Sequence, residues 1–247
     1  MKPLTILAWD TATQICAAGL MRVEDSEVEV LAEYQAEGNL HTRVLPPQID
    51  GMLKKANLVM ADIDLLAAGR GPGSFTGLRT GLALAKGLAM GTGKPLIGLS
   101  TLEILAAQIL FDHRAAEEGF IAAPLVDARH NEIFTGLYEA APETENPLGM
   151  RCLWEPQPVE PAAFAARLAE KVPDRKIMTA GPALNLTRAS APWPETIISG
   201  PEDLAPSARR LAILAAKIFI NNAGGSHPAL PLYIRQPDIR QTGIVML

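Results

Sequence analysis

The sequence predicts a two-lobed α/β protein in which one mixed-sheet unit occurs twice. Three observations predict it. Short apolar runs alternate with segments of helical spacing along the chain. Their order in the first half, β-β-β-α-β-α-β-α, begins again in the second. In both halves the first strand closes on an acidic residue before a turn, in "WDTAT" and in "VDARH". Two mixed sheets with helices on their faces satisfy this order, with lobes over residues 1–112 and 113–247.

The elements follow in order. "LTILAWD" is short, apolar and ended by Asp10, the pattern of a buried strand. "ICAAGLMR" follows a tight "TATQ" turn, so the two form a hairpin. "VEVLAEYQA" alternates apolar and polar residues and extends the hairpin to a third strand. "HTRVLPPQIDGMLKKA" has helical spacing through Val44, Ile49, Met52 and Leu53; Pro46 and Pro47 belong in a first turn or mark a kink. "DLLAAG" is a strand, the segment from Ser74 to Gly91 a helix and "PLIGLS" a strand. Ser100 caps the next helix, with Glu103 at the capping-box position.

The second half is a blurred copy. "IAAPLVDA", ending in Asp127, and "EIFTGLYEA" form a hairpin around "RHN", and "MRCLWE" is the third strand. "PAAFAARLAEKV" is an amphipathic helix, "KIMTAG" a strand and "PSARRLAILAAKIFINNAG" a long helix closed by Gly224. "AAPETENPLG" reads as an exposed hairpin loop and "PWPETIISGPEDLAP" as irregular surface chain. The tail "PLYIRQPDIRQTGIVML" has no helical period and reads as extended or partly disordered.

Composition narrows the function classes. The chain has 247 residues, is 48% hydrophobic and 20% charged, and is globular in character. Its net charge of −5 excludes a general nucleic-acid binder held by a basic surface. A role near RNA needs a partner that supplies positive charge. Cys16 and Cys152 form no CxxC pair and read as two buried thiols in a reducing compartment. The opening "MKPLTILAWD" is too short for a signal-peptide core, and no apolar run approaches the ~18–20 residues of a membrane span. A cytoplasmic protein is the expectation.

The densest glycine stretch, "GRGPGSFTGLRTGLALAKGLAMG", fails both common nucleotide fingerprints. A Walker loop needs GxxxxGK[ST], but Leu78 stands where the lysine belongs. The spacing of Gly69, Gly71, Gly73 and Gly77 also breaks GxGxxG. The loop still ends at a helix N-terminus, which favours an anion. Within the helix, Gly77, Gly81, Ala85 and Ala89 recur every fourth residue, with Gly87 and Gly91 alongside. One face is nearly bare, although each interior glycine costs about 0.5–1 kcal/mol relative to alanine. Two explanations stand open: close packing on the protein's own sheet, or close approach of a helix from another subunit.

Other chemistry is sparse. No two of His41, His113, His130 and His227 are spaced as HxxxH, and there is no GxSxG elbow. His130, with Asp127 and Glu132, reads as part of a solvated turn, and His41 as a cap or surface residue. Asp10 and Asp127 are the strongest acid candidates. The turns carrying Asp10, Thr11, Thr13 and Asp127 are candidate nucleotide or phosphate loops. An active ATPase or small-molecule kinase would place Asp10 and Asp127 around a magnesium nucleotide, with "GPALN" as a poor match to an adenosine-binding loop.

"ILAWDTAT", "HTRVLPPQIDGML", "GRGPGSFTGLR", "PLIGLSTLEILA", "VDARHNEIF" and "LPLYIR" occur in an order that resembles the bacterial TsaB family, also called YeaZ. The likeness covers most of the chain and is strongest over residues 4–110. It implies the actin-like, Hsp70-like ATPase fold of two RNase H-like lobes. It also implies a non-catalytic partner of the TsaD-type enzyme. With TsaE, that enzyme moves a threonylcarbamoyl group from threonylcarbamoyl-adenylate to the adenosine beside the tRNA anticodon, and tRNA is reached only through the complex. The catalytic relative carries a metal-binding HxxxH pair; here only His41 matches, so no catalytic or metal residue is carried over. No cofactor is firmly implied, which leaves ATP or ADP with magnesium at the complex interface open. The family's contact with TsaD, or with a second copy when TsaD is absent, carries over to Leu45, Ile49, Leu53, Gly77, Leu78, Gly81, Leu82 and Ala85.

Overall fold

The structure is a computed structural model that describes residues 2–24, 27–38, 41–201 and 203–234. Strands β1 (Leu4–Asp10), β2 (Ile15–Glu24) and β3 (Glu27–Glu37) lead into α1 (His41–Lys55). β4 (Leu65–Gly69), α2 (Phe75–Thr92), β5 (Leu96–Leu99) and α3 (Thr101–Ala107) complete the first unit. The second unit runs β6 (Ile121–Pro124), β7 (Val126–Arg129), β8 (Glu132–Ala140), β9 (Met150–Val159) and α4 (Phe164–Lys171). It continues with β10 (Ile177–Ala180), α5 (Leu184–Arg188), β11 (Ile197–Ser199) and α6 (Ala208–Asn221).

The copy is therefore fuller than its sequence suggests. Helix α5 is too short to show a 3.6-residue period. The segment expected to be irregular holds β11, which pairs in parallel with β10 through three residues. The first sheet has the order β3-β2-β1-β4-β5. In the second, β6 and β7 are one line of chain interrupted at Leu125, and β9 pairs with β8. Traced through that line, the order β9-β8-β6/β7-β10-β11 repeats the first.

Period-two alternation divides the layers. Along β1, Ile6 and Ala8 point into one apolar cluster while Leu7 and Trp9 point into another. β4 alternates the same way, with Leu65 and Ala67 opposite Leu66 and Ala68. Helices α1 and α2 cover the outer face of the first sheet, through Leu45, Ile49, Leu78 and Leu82. Helices α4 and α5 cover the outer face of the second, through Phe164, Leu168 and Leu184.

Helices α3 and α6 lie between the sheets and cross over. α3, from the first unit, packs on β6 and β8; α6, from the second, packs on β1, β2, β4 and β5. Leu102, Ile104, Leu105 and Ala106 are fully buried, so α3 is apolar almost all round, as a central helix must be. One continuous core joins both sheets. α3 starts as expected: Leu102 N donates to Ser100 Oγ at 3.2 Å and Ser100 N to the Glu103 carboxylate at 2.9 Å.

Helix α1 continues through Pro46 and Pro47 instead of starting there, with both rings exposed on its outer side. Cys16 is buried as expected, but Cys152 is exposed, because it lies on β9, at the open edge of its sheet. The readings of the His41 side chain and of the tail past residue 234 lie outside the described residues.

Because α6 completes the core of the other unit, Leu214→Ala is expected to cost about 2–5 kcal/mol. It should lower one unfolding transition common to both sheets. Two separate transitions in calorimetry would show that the units fold independently.

Candidate functional site

One turn accounts for half of the glycine stretch. β1 carries Asp10, Thr11 and Ala12 to the point where β4 ends. A Cβ on Gly69 would overlap the Asp10 carboxylate, one on Gly73 the Ala12 carbonyl, and one on Gly81 the Thr11 hydroxyl. The close approach is used for hydrogen bonds. Ser74 N donates to the Ala12 carbonyl at 2.6 Å. The Thr11 hydroxyl donates to the Gly77 carbonyl at 2.8 Å, and Trp9 Nε1 to the Gly81 carbonyl at 3.1 Å. Asp10, 1% exposed, accepts from Ala12 N through one oxygen and from the Thr101 hydroxyl through the other, both at 2.7 Å. These bonds tie β1, α2 and α3 at one point.

Of the two explanations left open for the bare helix face, packing on the protein's own sheet accounts for Gly81, and Gly77 is buried on the same side. Leu45, Ile49, Leu53, Gly77, Leu78, Gly81, Leu82 and Ala85 are all buried by the chain itself. The expectation that these side chains face a partner is corrected: they form the inner faces of α1 and α2. Helical spacing identifies residues that share a face, not the direction in which the face points. The outer face of α2 carries Thr76, Ala83, Gly87, Met90 and Gly91. An added Cβ on Gly87 or Gly91, or on Gly51 of α1, would meet nothing within 4 Å. These three glycines have no steric reason within the chain.

The matched acidic turns differ as well. Trp9 pairs with Ala68 and Pro124 with Ala180, each one residue before a glycine that follows in the chain. The counterpart of Asp10 is thus Leu125, and Asp127 lies two residues further on. Gly181 of "GPALN" repeats the role of Gly69, since its Cβ would overlap the Leu125 carbonyl.

Between the units lies a cleft of about 230 Å³. It is lined by Thr13, Gln14, Asp127 and Arg129 from the two hairpin turns, by Glu37 and Asp203, and by apolar residues including Ile15 and Leu186. Asp10 and Thr11 are buried behind it. The Thr13 hydroxyl donates to the Ile15 carbonyl at 3.0 Å and accepts from Ile15 N at 3.2 Å. Asp127 accepts from Arg129 N at 2.7 Å and pairs with the Arg129 guanidinium at 3.2 Å.

Asp10 is not turned toward a ligand in this cleft. The cleft lining carries the carboxylates of Glu37, Asp127 and Asp203 and the arginine Arg129, which is paired with Asp127. Both Asp10 oxygens hold protein groups instead of facing the cleft. Among the described residues no three His, Cys, Asp or Glu side chains converge as metal ligands.

Two sheets built on one repeated order, with two crossing helices between them, define the class of two-lobed actin-like proteins. An inorganic polyphosphate/ATP-glucomannokinase from Arthrobacter shares this fold, with a TM-score of 0.55 at 7% identity over 90% of this chain and all of that one. The profile of the family described as TsaD, tRNA N6-adenosine threonylcarbamoyltransferase, matches residues 29–205. The TsaB protein of Escherichia coli, described as a tRNA threonylcarbamoyladenosine biosynthesis protein, is 30% identical over 94% of this chain and 95% of its own length. The Haemophilus influenzae protein of the same description is 41% identical over 54% of this chain and 53% of its own. YeaZ from Pseudomonas aeruginosa superposes with a TM-score of 0.74 at 27% identity, over 93% of this chain and 99% of that one. The chain belongs to the TsaB (YeaZ) family.

The cradle around residues 10–12 makes a sharp expectation. Gly81→Ala should destabilise by about 1–3 kcal/mol by overpacking against Thr11. In a double-mutant cycle with Thr11→Ala, which removes the overlapping atom, the two losses should be well short of additive. Additive losses in urea unfolding would separate the two positions.

Proposed function

We propose that this chain is a non-catalytic partner subunit in tRNA threonylcarbamoyladenosine formation, and that it binds and activates a TsaD-type enzyme through the outer faces of α1 and α2. The observation that carries this reading is the set of exposed glycines, Gly51, Gly87 and Gly91, with open space where a side chain would stand. Gly87, inside α2, costs about 0.5–1 kcal/mol of helix stability relative to alanine, and no contact in the chain accounts for it. Small residues let two helix axes approach closely. The descriptions of the relatives supply the pathway, and the inward, occupied Asp10 carboxylate supports a partner rather than a catalyst. The eight inner residues, Leu45 to Ala85, act indirectly by fixing the helices to the sheet.

The finer partner set belongs to the same reading. A TsaE-type ATPase joins the complex, tRNA is met only through it, and a homodimer forms on the same face when TsaD is absent. A nucleotide at the complex interface would draw its phosphate ligands from the partners. Among the described residues no helix is long and apolar enough to cross a membrane, which suits a place in the cytoplasm.

Two substitutions at one position test the reading. Gly87→Ala should stabilise the isolated chain by about 0.5–1 kcal/mol in urea unfolding, since its Cβ enters open space. Gly87→Arg should leave the fold intact yet weaken binding to the TsaD-type protein by about tenfold or more. It should also lower threonylcarbamoyl transfer in the reconstituted system. Unchanged affinity for Gly87→Arg would remove the outer face of α2 from the interface.

A further inference from the structure

Arg22, Arg114, Arg129, Arg151, Arg175 and Arg210 each pair with a carboxylate of their own chain. Arg79 of α2 is held differently. Its Nε donates to the Tyr233 hydroxyl at 3.0 Å, and its guanidinium carbon lies 3.7 Å from the centre of the Phe75 ring, one helical turn back. The Phe75 and Tyr233 rings are 5.5 Å apart, so the cation is seated on an aromatic pair. Tyr233 is carried there by the segment 226–234, which crosses the first unit after α6. His227 N donates to the Leu96 carbonyl at 3.1 Å and Leu232 N to the Arg70 carbonyl at 2.7 Å, which fixes the segment to β5 and to the glycine loop. No carboxylate among the described residues pairs with Arg79. The groove beside the two rings is lined by Asp127, Arg129 and His130 of the second unit, and there Asp127 pairs with Arg129 at 3.2 Å.

Arg79 is thus oriented without being neutralised. A guanidinium is a planar fork of five N–H donors. Tyr233 uses the Nε edge and the Phe75 ring sets the plane, which leaves the edge formed by the two Nη groups. That edge matches the two oxygens of a carboxylate. Much of the ordering cost of a long side chain is met before a ligand arrives. The residue also stands in a particular place. Arg79, Ala83 and Met90 recur at i, i+4 and i+11, all exposed, and form one stripe on the outer side of α2 with Gly87 beside it.

We propose that Arg79 is a specificity-determining residue of the outer face of α2, where it receives a carboxylate of the TsaD-type partner, and that Phe75 and Tyr233 are its positioning residues. The proposal rests on the partner reading given above and names the group that the partner must present next to the Gly87 contact. A homodimer on the same face leaves Arg79 without such a group from these helices. α1 and α2 contain one carboxylate, Asp50, and Lys54 pairs with it at 2.6 Å.

The test uses the full chain and the purified TsaD-type protein of the same cell, with affinity read by calorimetry at several salt concentrations. Arg79→Ala should weaken binding by about tenfold or more and flatten the fall of affinity with salt. Arg79→Lys keeps the charge but loses the fork, and should still bind about threefold or more weakly than wild type. Tyr233→Ala should weaken binding by about threefold or more in the wild-type chain, and by less than about 1.5-fold when Arg79 is already alanine. Thermal unfolding checks that each variant is folded. Equal losses from Tyr233→Ala in both backgrounds would give Tyr233 a contact of its own and end its positioning role. An unchanged salt dependence in Arg79→Ala would exclude the ion pair. If Arg79→Ala binds like wild type while Gly87→Arg does not, the Arg79 proposal fails and the reading of the outer faces stands. If both bind like wild type, that reading fails and the proposal with it. Unchanged affinity with a raised KM for tRNA in the transfer assay would give the guanidinium to an RNA phosphate and overturn the proposal. Loss of self-association alone in sedimentation would give it to a second copy, with the same result.

Discussion

The seating of Asp10, Thr11 and Ala12 among Gly69, Gly73 and Gly81 is the constraint on which the rest of this molecule depends. A strand end, a loop and a helix meet at separations that no Cβ permits. Each contact is then a hydrogen bond: Asp10 to Thr101 of α3, Ser74 to Ala12, Thr11 and Trp9 to carbonyls of α2. Buried polar groups need such partners, because an unpaired one costs about 1–3 kcal/mol. Here the partners come from three separate elements, so satisfying the polar groups also fixes the elements to one another.

That fixation shapes the function. In a two-lobed fold of this class the end of the first strand is well placed to face a ligand between the lobes. Here its carboxylate is turned inward and occupied, and the cleft above it is lined by Glu37, Asp127, Arg129 and Asp203. The surface in which the sequence has invested lies on the other side, along the outer faces of α1 and α2. Gly51 and Gly87 sit there at the expense of helix stability. The same helix thus uses its glycines twice: Gly77 and Gly81 inward, Gly87 and Gly91 outward.

Much of the fold was legible in the sequence. The hairpins, the capped start of α3, the long helices and the duplicated order all leave local patterns: period two, period 3.6, a Ser-x-x-Glu box. Elements that span less than two such periods were not legible, which is why α5 and β11 escaped and the second copy looked degraded. The candidate site was legible only in outline. The glycines of residues 69–91 stood out, but their division between inner and outer faces did not. Asp10 and Asp127 looked like equivalents because each precedes a turn, and only the strand register shows that Leu125 holds the matching place. The segment 226–234 showed in the sequence only as an extended tail and the start of "LPLYIR"; its place could not be read, since it rests on backbone pairing with β5 and on the contact between Arg79 and Tyr233, more than 150 residues apart.

The sequence by itself determined the fold class, the repeated order and the family, and it ruled out the standard nucleotide loops. Spacing and composition are local, and these properties follow from local patterns repeated along the chain. The tertiary structure alone decided which way α1 and α2 face, that each unit's last helix crosses to the other sheet, and that Asp10 is spent on internal bonds. The physical reason is common to all three. A helix with small residues on both sides, or a carboxylate at a strand end, has two environments available to it, and the choice depends on what distant chain brings within hydrogen-bonding and van der Waals reach.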